Sequence, residues 1–170
     1  RKLMKKMNLL LSILSIFITF ESGCSYYYDD DIETCSYEII SQEEWLPNTV
    51  KQSIEFWADK GVFLDQIEEN ADVFIDVGDT ESNFLGQYDI GKKIITLNQE
   101  VFNLEVGVDS ALGLRRKCVL AHEMGHSFGM NHVVSDEYSS LMSAVASIGQ
   151  VDCSWTDEDQ AELDRVMDLR

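Results

Sequence analysis

The chain has 170 residues, a formal net charge of −18 and 45% hydrophobic residues, with only ten glycines and one proline. This length suits a single domain, and the apolar content is sufficient for an ordinary buried core. The composition excludes a collagen-like repeat and a disordered chain. So acidic a chain should also repel nucleic acid and anionic membrane surfaces, because both carry negative charge themselves.

The first 23 residues have the pattern of an export signal. Basic residues at positions 1, 2, 5 and 6 precede twelve nearly apolar residues at 9–20. Such a stretch is too short to span a bilayer stably, but it suits the apolar centre of a signal peptide. We therefore predict that residues 1–23 direct export of the chain.

The end of this segment, Ser22-Gly23-Cys24, resembles the lipobox of bacterial lipoproteins, in which the cysteine is acylated and becomes the mature N-terminus. Glu21 departs from that pattern, which usually has leucine at this position. The resemblance implies an outer-membrane or cell-surface lipoprotein. Its lipid on Cys24 would be its only membrane contact, and residues 24–35 would form an acidic tether. The alternative is simple cleavage, with the protein secreted or left in the periplasm.

Hydrophobic periodicity predicts strands and helices in the remaining residues, 36–170. Strands are predicted around 37–40, in the stretch GVFL, and at 71–77, where Val73, Ile75 and Val77 recur at every second position. Between the first two strands, a helix starts near Pro47 and ends before Gly61. Its apolar face consists of positions 50, 54, 57 and 58.

The second half of the domain begins with a predicted hairpin. NFLGQYD and KKIITLN flank Ile90-Gly91, where the glycine can adopt the positive φ of a tight turn. A long helix is predicted at 111–128, capped by Asp109 or Ser110. Its basic run RRK, at 115–117, is predicted to face solvent. A closing helix follows Thr156 as N-cap, with acidic residues in its first turn.

The three histidines of the chain all fall within eleven residues, at His122, His126 and His132. His122 and His126 are four apart on the predicted helix, so they project from one face and can share one Zn²⁺. Glu123 lies beside them, where a carboxylate can take a proton from water and return it to a leaving amine. Gly129 allows a left-handed turn, after which His132 can return as a third ligand. Three protein ligands leave a fourth position open, as in catalytic zinc sites.

This pattern, HExxHxxGxxH from His122 to His132, resembles the zinc-binding signature of the metzincin metallopeptidases, and most closely their matrixin-like branch. Metzincins carry a methionine in a turn beneath the zinc, and Met142 lies ten residues after His132. The similarity in the order of elements covers about residues 36–167. No tyrosine follows Met142 by two positions, which argues against the astacin and serralysin branches.

The resemblance implies an α+β fold of metzincin type: a small twisted mixed sheet, a backing helix, a zinc-binding helix, a Met-turn and a C-terminal helix. It also implies a zinc-dependent endopeptidase, with one catalytic Zn²⁺ and Glu123 as general base. A protein or peptide substrate would lie extended and antiparallel to an edge strand formed by Leu85, Gly86, Gln87 and Tyr88. Residues 143–150 would form the wall of the pocket. We expect a monomer, and no EF-hand spacing indicates calcium despite the clustered acidic residues.

Two alternative functions remain open. The same fold could hold zinc only for stability, as a non-catalytic binding module anchored at the surface, although the presence of Glu123 argues against this. A gluzincin-type peptidase would take a distant glutamate as its third ligand, which His132 makes unnecessary.

The four cysteines are the remaining reactive side chains, and export makes disulfides chemically permissible. None has the CxxC spacing typical of cysteine metal sites. Cys118 and Cys153 fall inside the folded domain, whereas Cys24 and Cys35 lie at its edge. We therefore predict a disulfide between Cys118 and Cys153.

Overall fold

The computed structural model describes residues 27–29, 32–80, 84–102, 110–134, 140–143 and 153–168. The strands are β1 Tyr27–Asp29, β2 Ile32–Ile39, β3 Phe63–Gln66, β4 Val73–Gly78, β5 Gly86–Asp89 and β6 Ile94–Asn98. The helices are α1 Leu46–Ala58, α2 Gln99–Phe102, α3 Ala111–Ser127 and α4 Asp157–Asp168. The α+β class predicted from the sequence is confirmed. None of these four helices is long and apolar enough to cross a membrane.

The strands form one mixed sheet. β2, β4 and β6 run parallel to one another, and β5 pairs antiparallel with β6 at one edge. β1 pairs antiparallel with the start of β2, and β3 pairs in parallel with β2 on the side away from β4. β1 and the start of β2 fall within residues 24–35, for which the sequence predicted a tether. Among the described strands, β5 lies at one edge of the sheet.

Trp57 joins α1 to the helix that carries two of the histidines. Its side chain is fully buried, and its indole Nε1 donates to the carbonyl of Ala121 on α3 at 3.1 Å. Its ring also packs edge-to-face against two other rings, with centroid distances of 4.9 Å to Phe128 and 5.6 Å to Trp155. A buried aromatic ring with a satisfied N–H stabilises a single packing arrangement. Since Ala121 directly precedes His122, this contact fixes the rotation of α3 at the histidines.

The ends of α3 agree with the sequence prediction. The Ser110 hydroxyl accepts a hydrogen bond from the backbone N–H of Gly113 at 3.1 Å and so caps the helix. The helix ends at Ser127, and Gly129 follows with a φ of 95°, a conformation that favours glycine. The chain can therefore reverse direction immediately after the second histidine.

The hairpin of β5 and β6 is present, but its turn differs from the prediction. The strands are joined by residues 90–93, and the positive φ of 58° belongs to Lys93. The expectation that Gly91 adopts it is wrong. The Asp89 carboxylate accepts hydrogen bonds from the backbone N–H groups of Gly91 and Lys92, at 3.0 and 3.1 Å. An aspartate-capped turn thus replaces the two-residue glycine turn.

The prediction that all of the RRK run faces solvent is wrong for Arg116, which is only 2% exposed. Its guanidinium lies 4.1 Å from the centroid of the Trp45 ring and donates to the carbonyl of Phe102. Arginine can stack on an aromatic ring while it donates hydrogen bonds, so its charge alone does not determine its exposure.

A disulfide joins Cys118 on α3 to Cys153, which precedes α4. Cys35 is also disulfide-bonded. Cys24, the fourth cysteine of the sequence, lies outside the described residues. The Cys118–Cys153 bridge thus ties the histidine helix covalently to the C-terminal segment.

Replacing Cys118 and Cys153 together with alanine should lower the free energy of unfolding by about 3–4 kcal/mol, as expected for the entropy of a loop of this length. The cross-link joins residues 35 positions apart. Urea denaturation of parent and variant under non-reducing conditions measures the difference. A loss below about 1 kcal/mol would show that this bridge contributes little to stability.

Candidate metal centre

The three histidines converge on one point. The Nε2 atoms of His122 and His126 are 3.1 Å apart, those of His126 and His132 are 3.1 Å apart, and those of His132 and His122 are 3.3 Å apart. A tetrahedral zinc ion with bonds of about 2.0–2.1 Å holds its nitrogen ligands about 3.3 Å apart. The spacing therefore fits a single metal ion bound by three imidazoles.

Backbone carbonyls hold the other ring nitrogen of two of these histidines. Nδ1 of His122 donates to the carbonyl of Leu141 at 2.6 Å, and Nδ1 of His126 donates to the carbonyl of Met130 at 2.9 Å. A carbonyl can only accept, so each contact assigns the proton to Nδ1 and leaves the Nε2 lone pair for a metal. Both rings are thus held in the tautomer that a metal ligand requires.

Removal from water favours the neutral form of these imidazoles, most strongly for His122. Removal from water, together with the charge of neighbouring His126, lowers the pKa of His122 to about 4. Burial likewise lowers the pKa of His126 and of His132. At neutral pH a metal ion therefore competes with few protons for these nitrogens.

Glu123 lies next to this cluster and beneath strand β5. It is 7% exposed, and burial raises its pKa to about 8, opposed by a hydrogen bond from the backbone N–H of Tyr88. The Asn98 N–H donates to the Leu85 carbonyl, so the backbone groups of Gly86 and Tyr88 point away from β6. Glu123 thus contacts the edge of the strand that faces away from β6. A carboxyl with this pKa can accept and release a proton near neutral pH.

Gly86 allows this close approach of β5 to α3. A Cβ at this position would lie 2.6 Å from Val119 Cγ1 and 2.9 Å from Glu123 Cγ. Contacts that short do not occur, so any larger residue would push the strand and the helix apart. The edge strand therefore lies directly on the turn of α3 that carries Glu123.

Met142 packs against α3 from another side. It is fully buried, and a Cβ at Gly125 would lie only 2.5 Å from its sulfur. Gly125 stands between the two histidines of α3 in the sequence, so Met142 contacts the helix where it has no side chain. The Met142 carbonyl also accepts a hydrogen bond at 2.9 Å from the backbone N–H of Val133, the residue directly after His132.

Asp159, at the start of α4, holds the turn that contains Met142, a role that the sequence analysis missed. Its buried carboxylate accepts hydrogen bonds from the Ser140 hydroxyl at 2.7 Å and from the N–H groups of Leu141 and Met142 at 3.1 and 2.9 Å. It also accepts the N–H of Thr156 at 2.9 Å. The Thr156–Asp159 spacing is that of a capping box, which signals a helix start but does not indicate the turn.

The structure brings together most of the site residues predicted from the sequence. The three histidines converge on one point, Met142 packs against α3 at Gly125, and Gly86 and Tyr88 lie over Glu123. The backbone groups of Leu85 and Gln87 face β6 instead. Of the predicted pocket wall at 143–150, the described residues include Ser143 only.

Comparison with known proteins supports the fold. No protein-family profile and no curated protein sequence matches the chain. Among solved structures, it is similar to the crystal structure of archaemetzincin from Methanopyrus kandleri, with a TM-score of 0.60 and 15% sequence identity. The similarity covers 79% of this chain and 96% of that one. The chain therefore has a metzincin-like α+β fold, with a group of three histidines that could hold a metal ion.

Replacing Gly86 with alanine should lower the free energy of unfolding by about 1–3 kcal/mol, the usual cost of an added methyl group in a packed site. Val119 cannot give way easily, since a β-branched side chain in a helix has one preferred rotamer.

Gly78→Ala is the matched control, because a Cβ there would lie 3.7 Å from Thr96 Cγ2, an ordinary contact. We expect that variant to be as stable as the parent, or more stable by up to about 1 kcal/mol. Urea denaturation of both variants tests this contrast. Equal stability of the two would mean that β5 does not need to lie so close to α3.

Proposed function

We propose that the protein is a zinc-dependent endopeptidase of the matrixin-like branch of metzincins. One observation carries this proposal: three imidazole Nε2 atoms lie within 3.3 Å of one another, and the residue after the first histidine is a buried carboxyl. Three nitrogen ligands with an adjacent acid–base group are typical of catalytic rather than structural zinc sites.

The histidines and Glu123 would have different roles in the reaction. His122, His126 and His132 would hold the metal, and Glu123 would accept a proton from the attacking water and pass it to the leaving amine. Zinc, when bound, makes water more acidic and polarises the carbonyl that is attacked. Its positive charge would also lower the pKa of Glu123, so the carboxylate form is available to accept a proton.

The position of β5 at the edge of the described sheet supports an extended protein or peptide as substrate. Such a chain would add to the sheet by backbone hydrogen bonds, antiparallel to β5, with the backbone groups of Gly86 directed toward it. This arrangement would bring the scissile bond close to Glu123, because the Tyr88 N–H already contacts that carboxyl. We propose that the enzyme acts as a monomer.

The burial of Glu123 favours catalysis over the non-catalytic alternative. Placing a carboxyl group in an apolar environment costs free energy, and a site that needed zinc only for stability would gain nothing from it. Strongly raised carboxyl pKa values beside a metal site are instead typical of groups that transfer protons.

Glu123→Gln should reduce peptide hydrolysis by at least about 10²-fold, because the amide preserves the shape of the side chain but cannot accept a proton. Zinc content and thermal stability should stay close to those of the parent. Hydrolysis of a casein-type or library peptide substrate, with zinc measured on the same samples, tests this.

Glu55→Gln on α1, at an exposed glutamate, is the control and should retain full activity. A Glu123→Gln variant as active as the parent would place the general base elsewhere. A zinc-loaded parent that cleaves no peptide at all would favour the non-catalytic module.

Export and lipid anchoring remain our proposal for the location of the protein. We expect the mature chain, expressed in a bacterium with its signal, to begin at an acylated Cys24 and to fractionate with membranes, whereas Cys24→Ser is released. Mass spectrometry of the mature N-terminus is the measurement. A lipidated Cys24 cannot also be the disulfide partner of Cys35. Either a Cys24–Cys35 bridge or cleavage elsewhere would rule out the anchor and leave a secreted protein.

A further inference from the structure

Helix α4 holds the turn between the second and third histidines. Glu162 Oε1 accepts hydrogen bonds from the backbone N–H of Asn131 at 2.6 Å and from its side-chain amide at 3.0 Å. Arg165 Nη2 donates to the carbonyl of Gly129 at 3.2 Å. His132 directly follows Asn131, so both contacts act on the segment that returns the third ligand to the site.

The two α4 side chains are also held by one another. Arg165 donates from Nε and Nη2 to the two carboxylate oxygens of Glu162, each at 2.6 Å. Glu162 is 13% exposed and Arg165 is 41% exposed. A surface ion pair alone contributes little to stability, but a bidentate pair has a defined geometry. The same two side chains also form hydrogen bonds with two backbone groups of the turn, the N–H of Asn131 and the carbonyl of Gly129.

His132 needs such support more than the other two histidines. His122 and His126 are fixed by the backbone of α3, whereas His132 is exposed and lies beyond the end of the helix. On its other side, the N–H of Val133 donates to the carbonyl of Met142. Contacts from α4 and from the Met142 turn therefore hold the backbone on both sides of His132.

We infer that Glu162 and Arg165 are positioning residues that set the zinc affinity of the site by fixing the turn that carries His132. They would touch neither the metal nor the substrate. A ligand that is already in place loses less conformational freedom when the metal binds. The inference rests on the proposed metal site, but it does not require that the protein hydrolyse peptides.

Zinc affinity, measured by competition with a chelator, tests the inference. Glu162→Ala should raise the zinc Kd by about 10–100-fold, the range typical of residues that support metal ligands indirectly. Glu162→Gln should raise it less, because its amide oxygen can still accept the N–H of Asn131. Thermal unfolding of the metal-free variants checks that each is folded. If Glu162→Ala does not fold, the zinc Kd values of Glu162→Gln and Arg165→Lys are compared with that of the parent instead.

Asp164→Asn is the matched control, since it removes the same charge from the same helix and its partner is Gln160 within α4. Its Kd should stay within about 2-fold of the parent, as expected for a site without shared partners. An equal loss of affinity in this control would attribute the effect to net charge and overturn the inference.

A double-mutant cycle with His132→Ala separates positioning from general weakening of the fold. If Glu162 acts through His132, Glu162→Ala should change the Kd by less than about 2-fold once that ligand is gone. The same large loss in both backgrounds would overturn the inference. So would an unchanged Kd in a folded Glu162→Ala variant, while leaving the proposed function intact. A parent that binds no zinc would overturn both.

Discussion

The arrangement of the candidate metal centre depends on the hydrogen bonds of one buried carboxylate, that of Asp159. A carboxylate removed from water costs free energy unless its oxygens accept enough hydrogen bonds. Here the donors are the turn at 140–142 and Thr156. The turn is therefore held in one position on α4. From that position its carbonyls bind the ring of His122 and the backbone beside His132.

The site also depends on two glycines, which leave room for neighbouring groups to pack closely. At Gly86 the edge strand approaches α3 closely enough to cover Glu123, and at Gly125 the Met142 sulfur reaches the helix between the two histidines. The cover over Glu123 excludes water and so raises its pKa. Close packing, rather than any special backbone conformation, therefore accounts for this raised pKa.

The likeness to archaemetzincin concerns the fold, because the two chains share only 15% of their residues. A fold by itself does not determine an activity, since function depends on the chemistry of particular sites. The proposed peptidase therefore rests on the geometry of His122, His126, His132 and Glu123. Helix α4 supports this geometry through three side chains. Asp159 contacts the turn at 140–142, and Glu162 and Arg165 contact the turn before His132.

The sequence by itself determined the features that depend on near neighbours. Histidines four apart on a helix must share a face, Gly129 permits the reversal that brings back His132, and Ser110 and Thr156 cap the helices that follow them. Only the tertiary structure decided the burial of Arg116, the approach of β5 to Glu123, and the contacts made by Asp159 and Glu162. The contacts that link these residues to other elements join positions 14 to 71 apart. No local pattern encodes them, because they arise only when the sheet, α3 and α4 pack together.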